Sequence, residues 1–189
     1  GAMGGEDGTG TSASFYAPYG VAVDGGGILF VADTCNHNIR KISSGGVVTT
    51  FAGAGVIGSV DGTGTNAKFN YPYGIAVDSS TNVFVTDSGN HIIRKISSSG
   101  VVTTFAGSGT ASLADGIGTN AGFYGPQGIT VDSIGNIYVA DYGNHCVRKI
   151  TSTGIVTTLA GTNISNFADG TGSSARFSSP CGIAVDNSG

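Results

Sequence analysis

Gly74-Ile-Ala-Val-Asp78, Asn82-Val-Phe-Val-Thr-Asp87, Asn90-His-Ile-Ile-Arg-Lys-Ile96 and Gly100-Val-Val-Thr-Thr-Phe-Ala-Gly107 follow one another with only two or three residues between them, and their reading decides the fold. Four short β-branched runs separated by Gly, Asn and Asp predict four antiparallel strands joined by tight turns. The unit recurs 54 residues earlier and 54 residues later, marked by Asp24, Asp78, Asp132 and Asp186 and by Phe15, Phe69, Phe123 and Phe177. No insertion or deletion separates the copies. A fixed period of this size with four strands per unit predicts the blade of a β-propeller.

The individual runs fit that architecture. Gly20-Val-Ala-Val-Asp24 and its counterparts carry small residues, as the crowded axis of a propeller requires, and follow Pro18, Pro72, Pro126 and Pro180, which suit the start of a strand. Ile28-Leu-Phe-Val-Ala32 and Ile137-Tyr-Val-Ala140 are apolar on consecutive residues, which predicts burial on both faces by neighbouring blades. The Thr-bearing run Val47-Val-Thr-Thr-Phe51 suits the outer rim. Asp7-Gly-Thr-Gly recurs at 61, 115 and 169 and reads as a turn-rich link, followed by a Phe that wedges beneath the next strand.

Asn36-His37, Asn90-His91 and Asn144-His145, each leading into an Ile or Val followed by Arg-Lys, resemble the motif of NHL-repeat β-propellers, as do the upstream Gly-Ile-Ala-Val-Asp and Val-x-Val-Ala-Asp runs. The resemblance extends from Asp7 to Gly189. It implies an all-β, NHL-type propeller of four-stranded antiparallel blades, present as three blades (about 7–60, 61–114 and 115–168) plus one strand of a fourth (169–189). Residues 1–3 read as a cloning remnant, and 4–189 as the propeller segment. Because closed members of the family commonly have five or six blades, the resemblance also implies a piece of a larger array.

Composition narrows the function. The 34 glycines fall mainly at repeated turn positions, so they mark turns rather than disorder. A net charge of −4 with 11% charged residues argues against a nucleic-acid binder that relies on phosphate neutralisation. Cys35, Cys146 and Cys181 occupy three different repeat positions, which gives neither a repeated disulfide framework nor a metal-binding pair and makes them packing residues. No apolar run is long enough for a membrane span. Richness in Gly, Ser, Thr and Asn is compatible with a secreted or cell-surface protein without fixing the compartment, and Asn163-Ile164-Ser165 is a lone glycosylation sequon.

The ionisable groups repeat as well. All eleven Asp residues, all three His and every Lys and Arg share their repeat position with a like group, and Glu6 alone stands outside the pattern. Catalysis needs different groups converging on one substrate, whereas a repeated template gives rings of like groups. His37, His91 and His145 match a three-His zinc set by type, but their place at outward hairpins makes them structural, together with Asn36, Asn90, Asn144, Asp33, Asp87 and Asp141. Asp24, Asp78, Asp132 and Asp186 either cap the turns that follow or line a channel mouth open to Ca²⁺, and capping is the favoured reading. In the hairpin Asp-Ser-Gly-Asn, Gly89 is expected to supply a positive φ; Cys35 in that place predicts a strained first hairpin, at a cost of about 1 kcal/mol. Each Arg is expected to pair with an Asp of a neighbouring hairpin, with the adjacent Lys solvated.

Tyr16, Tyr19, Tyr71, Tyr73 and Tyr124 cluster before the first strands and, with Gln127, either form the one apolar, hydrogen-bonding loop face suited to a partner or pack beneath the strands. The function expected is a non-catalytic, rigid scaffold that binds a protein or peptide, with no cofactor, no metal, no nucleic acid and no membrane span. Three blades leave open faces, so self-association is also expected, foremost as a homodimer of six blades in which the two fourth-repeat strands compete for filled places. The alternatives are part of a metal-dependent propeller hydrolase or lyase, and a carbohydrate-binding propeller.

Overall fold

The computed structural model describes residues 4–186, so residues 1–3, expected from the sequence to be a cloning remnant, and 187–189 lie outside the described residues. Three separate antiparallel sheets follow one another along the chain. The first contains β1 (Gly8–Thr9), β2 (Pro18–Val23), β3 (Leu29–Asp33), β4 (Asn38–Ile42) and β5 (Val47–Ala52) in the order β1-β5-β4-β3-β2. The second repeats that order with β6 (Gly62–Thr63), β7 (Pro72–Val77), β8 (Val83–Asp87), β9 (Ile92–Ile96) and β10 (Val101–Ala106). β11 (Gly116–Ile117), β12 (Pro126–Val131), β13 (Ile137–Asp141), β14 (Cys146–Ile150) and β15 (Ile155–Gly161) form the third.

Each sheet therefore has five strands, where the sequence predicts four. The extra strand is the middle of the Asp-Gly-Thr-Gly link, whose two residues pair with the outermost strand, Gly8 opposite Val48 and Thr9 opposite Val47. In the fourth repeat, the run Gly182 to Asp186 is not a strand among the described residues.

β8 is buried at all five positions, as expected of a strand covered on both faces. Two clusters form the core, and each spans a seam between sheets. Phe30, Ile39 and Ala52 of the first sheet pack on Phe69, Ile75, Val85 and Ile96 of the second. Phe84, Ile93 and Ala106 pack in the same way on Phe123, Ile129, Val139 and Ile150 of the third. Inner strands meet backbone to backbone: a Cβ on Gly74 would lie 2.1 Å from the carbonyl oxygen of Gln127, and one on Gly20 2.5 Å from that of Tyr73. Glycine is required there by close approach rather than by its torsion angles.

The hairpin between second and third strands is a single 3₁₀ turn, Thr34–Asn36 in the first sheet, closed by a residue in the left-handed region. That residue is the histidine: φ is 53° at His37, 58° at His91 and 52° at His145. The expectation that Gly89 supplies the positive φ and that Cys35 is strained in its place is thus corrected. At Gly89 a Cβ would fall 2.6 Å from the side chain of Asn70, which would have to move aside.

The arginines also differ from expectation. Arg40, Arg94 and Arg148 are fully buried, and each pairs with the Asp that ends the second strand of its own sheet and with the Asp of its own link. In the second sheet, Arg94 donates to Asp87 Oδ2 (3.0 Å), Lys68 O (3.1 Å), Asp61 Oδ1 (2.7 Å) and Val60 O (2.9 Å), with its guanidinium 5.0 Å from the centre of the Phe69 ring. One side chain thereby ties the link, the wedge segment and the hairpin of a blade together. The adjacent lysines lie over aromatic rings, Lys95 at 5.7 Å from Phe84, instead of being wholly solvated.

Candidate functional site

The start of each inner strand carries a β-bulge. Pro18 pairs with Asp33 and Val21 with Val31, so two residues, Tyr19 and Gly20, oppose one residue on the partner strand. The same shift falls at Tyr73-Gly74 and Gln127-Gly128. A bulge turns its side chain out of the regular alternation. Here it brings Tyr19, Tyr73 and Gln127 from three successive sheets to one cavity of about 310 Å³, completed by Cys181 of the fourth repeat.

Tyr19 and Tyr73 stack, with ring centroids 4.2 Å apart and planes inclined by 23°. Tyr19 is 61% exposed, so the stack presents an aromatic face to solvent. Burial and the neighbouring Tyr19 raise the Tyr73 phenol above its ordinary pKa, which keeps it a neutral hydrogen-bond donor. Thr86 fixes the rim: its hydroxyl accepts from Gly74 N (2.7 Å) and donates to Gln127 O (2.7 Å). Two members of this site escaped sequence reasoning. Cys181 was signalled by register, standing 54 residues after Gln127, whereas Thr86 follows only from the contact between inner strands.

The other three aromatics lie elsewhere. Tyr71 meets His37 edge-on at 4.7 Å and Tyr124 meets His91 at 5.6 Å, both at the seams between sheets. Tyr16 occupies the same repeat position as Tyr124, and its backbone N–H donates to Asp33 Oδ1 at 2.7 Å. The single loop face expected from the sequence is therefore divided into an axial site and a set of seam residues.

The histidines are seam latches. Nδ1 of His37 accepts the backbone N–H of Tyr71 (3.2 Å), that of His91 accepts Gly125 N–H (3.0 Å) and that of His145 accepts Ser179 N–H (3.0 Å). An Nδ1 that accepts is unprotonated, and burial lowers the pKa of His37 in keeping with that. Asn36, Asn90 and Asn144 bind the carboxylates of Asp33, Asp87 and Asp141, each at 2.8 Å. Among the described residues, no three His, Cys, Asp or Glu side chains gather into a set able to hold a metal ion.

At the opposite end of the inner strands, Asp78 and Asp132 line a cavity of about 240 Å³ together with Asp186. Oδ1 of Asp24 accepts from Gly26 N and Ile28 N, and Asp78 and Asp132 repeat the arrangement with the turns that follow them. Turn capping therefore accounts for these three carboxylates. Burial pushes the Cys146 thiol up to about 12, far from a reactive thiolate. No helix among the described residues is long and apolar enough to cross a membrane.

The repeat that builds the site matches a known family. The NHL repeat model matches residues 15–42, 69–96 and 123–150, the part of each copy from the wedge phenylalanine to the end of the third strand. The chain is an NHL-repeat β-propeller chain. NHL repeat-containing protein 2 of Bos taurus is 33% identical over 153 residues, which cover 73% of this chain and 21% of that protein. The chain thus spans about a fifth of the length of the curated relatives it matches. Among solved structures, a protein of unknown function from Bacteroides thetaiotaomicron superposes with a TM-score of 0.74 at 29% identity, over 90% of this chain and 42% of that one. An auxiliary nutrient binding protein from the same organism gives a TM-score of 0.69 at 21% identity, over 89% of this NHL chain and 43% of its own. The second likeness shows the fold alone.

Proposed function

We propose that this NHL-repeat segment is a rigid, non-catalytic platform that binds a protein or peptide and associates with itself through its open blade faces. The observation that carries the binding reading is the solvent-facing Tyr19–Tyr73 stack beside Gln127, held on strand bulges around one cavity. Tyrosine offers a large amphipathic contact area with few torsions to immobilise, which is why it is frequent among the residues that dominate protein interfaces. The cavity is small and widely open, suited to one or two side chains of an extended ligand rather than to an enclosed metabolite.

The non-catalytic reading is supported by how the charges are used. In each sheet, the arginine and two of the aspartates belong to one internal network, and a third aspartate caps a turn. Propeller neighbours at low identity include a lyase and a gluconolactonase, whose chemistry belongs to those proteins and does not pass to this chain by fold.

The test is selection of peptides from a random display library against the full chain, followed by titration of the enriched peptides. Binding is expected to weaken at least ~tenfold in Tyr73→Ala, the loss of a moderate interface anchor. Failure to enrich peptides, or affinities indifferent to Tyr19→Ala and Tyr73→Ala, would refute the reading.

A further inference from the structure

At each of the first two seams, two polar contacts tie the entry of an inner strand to the preceding sheet, and one of the two can titrate. At the first seam the Tyr71 N–H donates to His37 Nδ1 (3.2 Å), and the Thr34 hydroxyl donates to Pro72 O (2.6 Å). At the second, the Gly125 N–H donates to His91 Nδ1 (3.0 Å), and the Ser88 hydroxyl donates to Pro126 O. The third keeps the histidine contact, Ser179 N–H to His145 Nδ1 (3.0 Å), with Tyr142 standing at the repeat position of Thr34 and Ser88. The residues that donate to the histidines are all left-handed, with φ 49° at Tyr71, 55° at Gly125 and 51° at Ser179. Tyr71 and Ser179 hold that torsion against a steric cost, which the bond to the imidazole offsets.

We infer that these latches are acid-operated: a proton on Nδ1 turns the acceptor into a donor facing the N–H of the next blade, so the seam loosens at the strand entry while each sheet keeps its own pairing. Two N–H donors cannot share a bond, and the hydroxyl-to-carbonyl contact beside each of the first two latches does not titrate. Across the seam His37 faces the Tyr71 ring edge-on, His91 faces Tyr124 and His145 faces Ser179. The carboxylates of their own hairpins are already engaged: Asp33 by Arg40, Asn36 and Tyr16 N–H, Asp87 by Arg94, Asn90 and Asn70 N–H, and Asp141 by Arg148, Asn144 and Tyr124 N–H. Burial holds His37 below its ordinary 6.5, so the closed seam favours the neutral ring; that contribution to stability is present above 6.5 and is lost as pH falls from there toward the lowered value. Asp87, raised to about 6, acts in the opposite direction over the same range, so the latch has to be read locally rather than from global unfolding.

Amide hydrogen exchange of the full chain, resolved by NMR and expressed at each pH as protection relative to the unstructured rate, tests this. A released His37 titrates near the ordinary 6.5 and at pH 5 is charged in a ratio of about 30 to 1, so the protection of the Tyr71 amide should fall by up to about 30-fold between pH 7.5 and pH 5. Protection at Gly125 should fall as well, while the amides of β8 change far less. His37→Asn keeps an acceptor oxygen and tolerates the left-handed torsion, but does not titrate. It should make the Tyr71 amide insensitive to pH while Gly125 in the same molecule still responds, and His91→Asn should do the converse. Wild-type protection at Tyr71 and Gly125 that does not change with pH would overturn the inference, and the wild-type profile decides even where a variant fails to fold. A response at Tyr71 that survives His37→Asn would overturn it too, because its cause would then lie in another group.

Discussion

Arg94→Ala is the most incisive perturbation of the blade. Arg94 is fully buried and makes four hydrogen bonds, two to carboxylates and two to backbone carbonyls, while lying over Phe69. Its carboxylate partners are not equivalent: the Asp61 side chain is half exposed and can be rehydrated, but that of Asp87 is fully buried. Truncation therefore leaves one buried carboxylate with only Asn90 and the Asn70 N–H as donors. Removing one partner of a buried ion pair costs about 3–5 kcal/mol, a large part of the roughly 5–15 kcal/mol that stabilises a typical domain. Burial already pushes the Asp87 carboxyl up to about 6 against the pull of those hydrogen bonds and of Arg94, and without Arg94 it should accept a proton more readily still. The penalty should therefore be greatest near pH 8 and smaller at pH 5, where the orphaned group is neutral. Urea unfolding of wild type and variant at both pH values, followed by circular dichroism, measures it. A loss below about 1 kcal/mol at pH 8 would refute the reasoning, since a pair so weak has the behaviour of a surface salt bridge.

Other consequences follow from the same geometry. Gly74→Ala sets a Cβ against the Gln127 carbonyl, and the inner-strand shift it forces should lower stability by about 1–3 kcal/mol, visible as a lower Tm in scanning calorimetry. Asn90→Ala removes donations to Asp87 and to Gly58 O, and should cost about 1–3 kcal/mol in a urea titration without weakening any peptide bound at Tyr73. Asp87 has a folded-state pKa of about 6, raised from an ordinary 3.8, so the folded state binds its proton first and this group's contribution to stability grows as pH falls through 6 and levels off below about 4. Wild type should accordingly gain in Tm on Asp87→Asn between pH 7 and pH 5, and a constant difference would contradict the raised pKa.

The period, the burial of the second strand and the turn-capping aspartates were legible because each rests on a side-chain pattern that repeats. Three features were not, for different physical reasons. Gly8–Thr9 pairs through its backbone alone, and two residues of Gly and Thr carry no alternation to recognise. The left-handed residue of the hairpin was misplaced because Gly is the usual occupant of positive φ, yet Gly89 lies outside that region and His91 accepts the torsion in return for a latch to the next sheet. Arg94 was assigned to another hairpin because sequence spacing does not reveal that Asp61 and Asp87, 33 and 7 residues before it, reach the same guanidinium. The candidate site was half legible: the tyrosines were visible as a cluster, but only the bulges determine that Tyr19 and Tyr73 turn to the axis while Tyr71 turns to a seam.

The division between repeated and unrepeated positions also bears on how such a chain recognises anything. A position that is identical in every blade is constrained by that blade's own closure: Arg94 and Asp87 have the same partners as Arg40 with Asp33 and Arg148 with Asp141. A ligand that breaks the symmetry of the ring has to be read by positions free to differ. Around this cavity those are 19, 73, 127 and 181, occupied by Tyr, Tyr, Gln and Cys, the first three on equivalent inner-strand bulges. The glycines that follow the first three, Gly20, Gly74 and Gly128, are held by close approach, because neighbouring backbone fills the space a side chain would need. Fixed backbone with variable tips keeps the conformational cost of binding low, since the frame that carries Tyr73 is ordered by Arg94 and Thr86 before any partner arrives. Specificity can then change by substitution at a tip without disturbing the buried network beneath it.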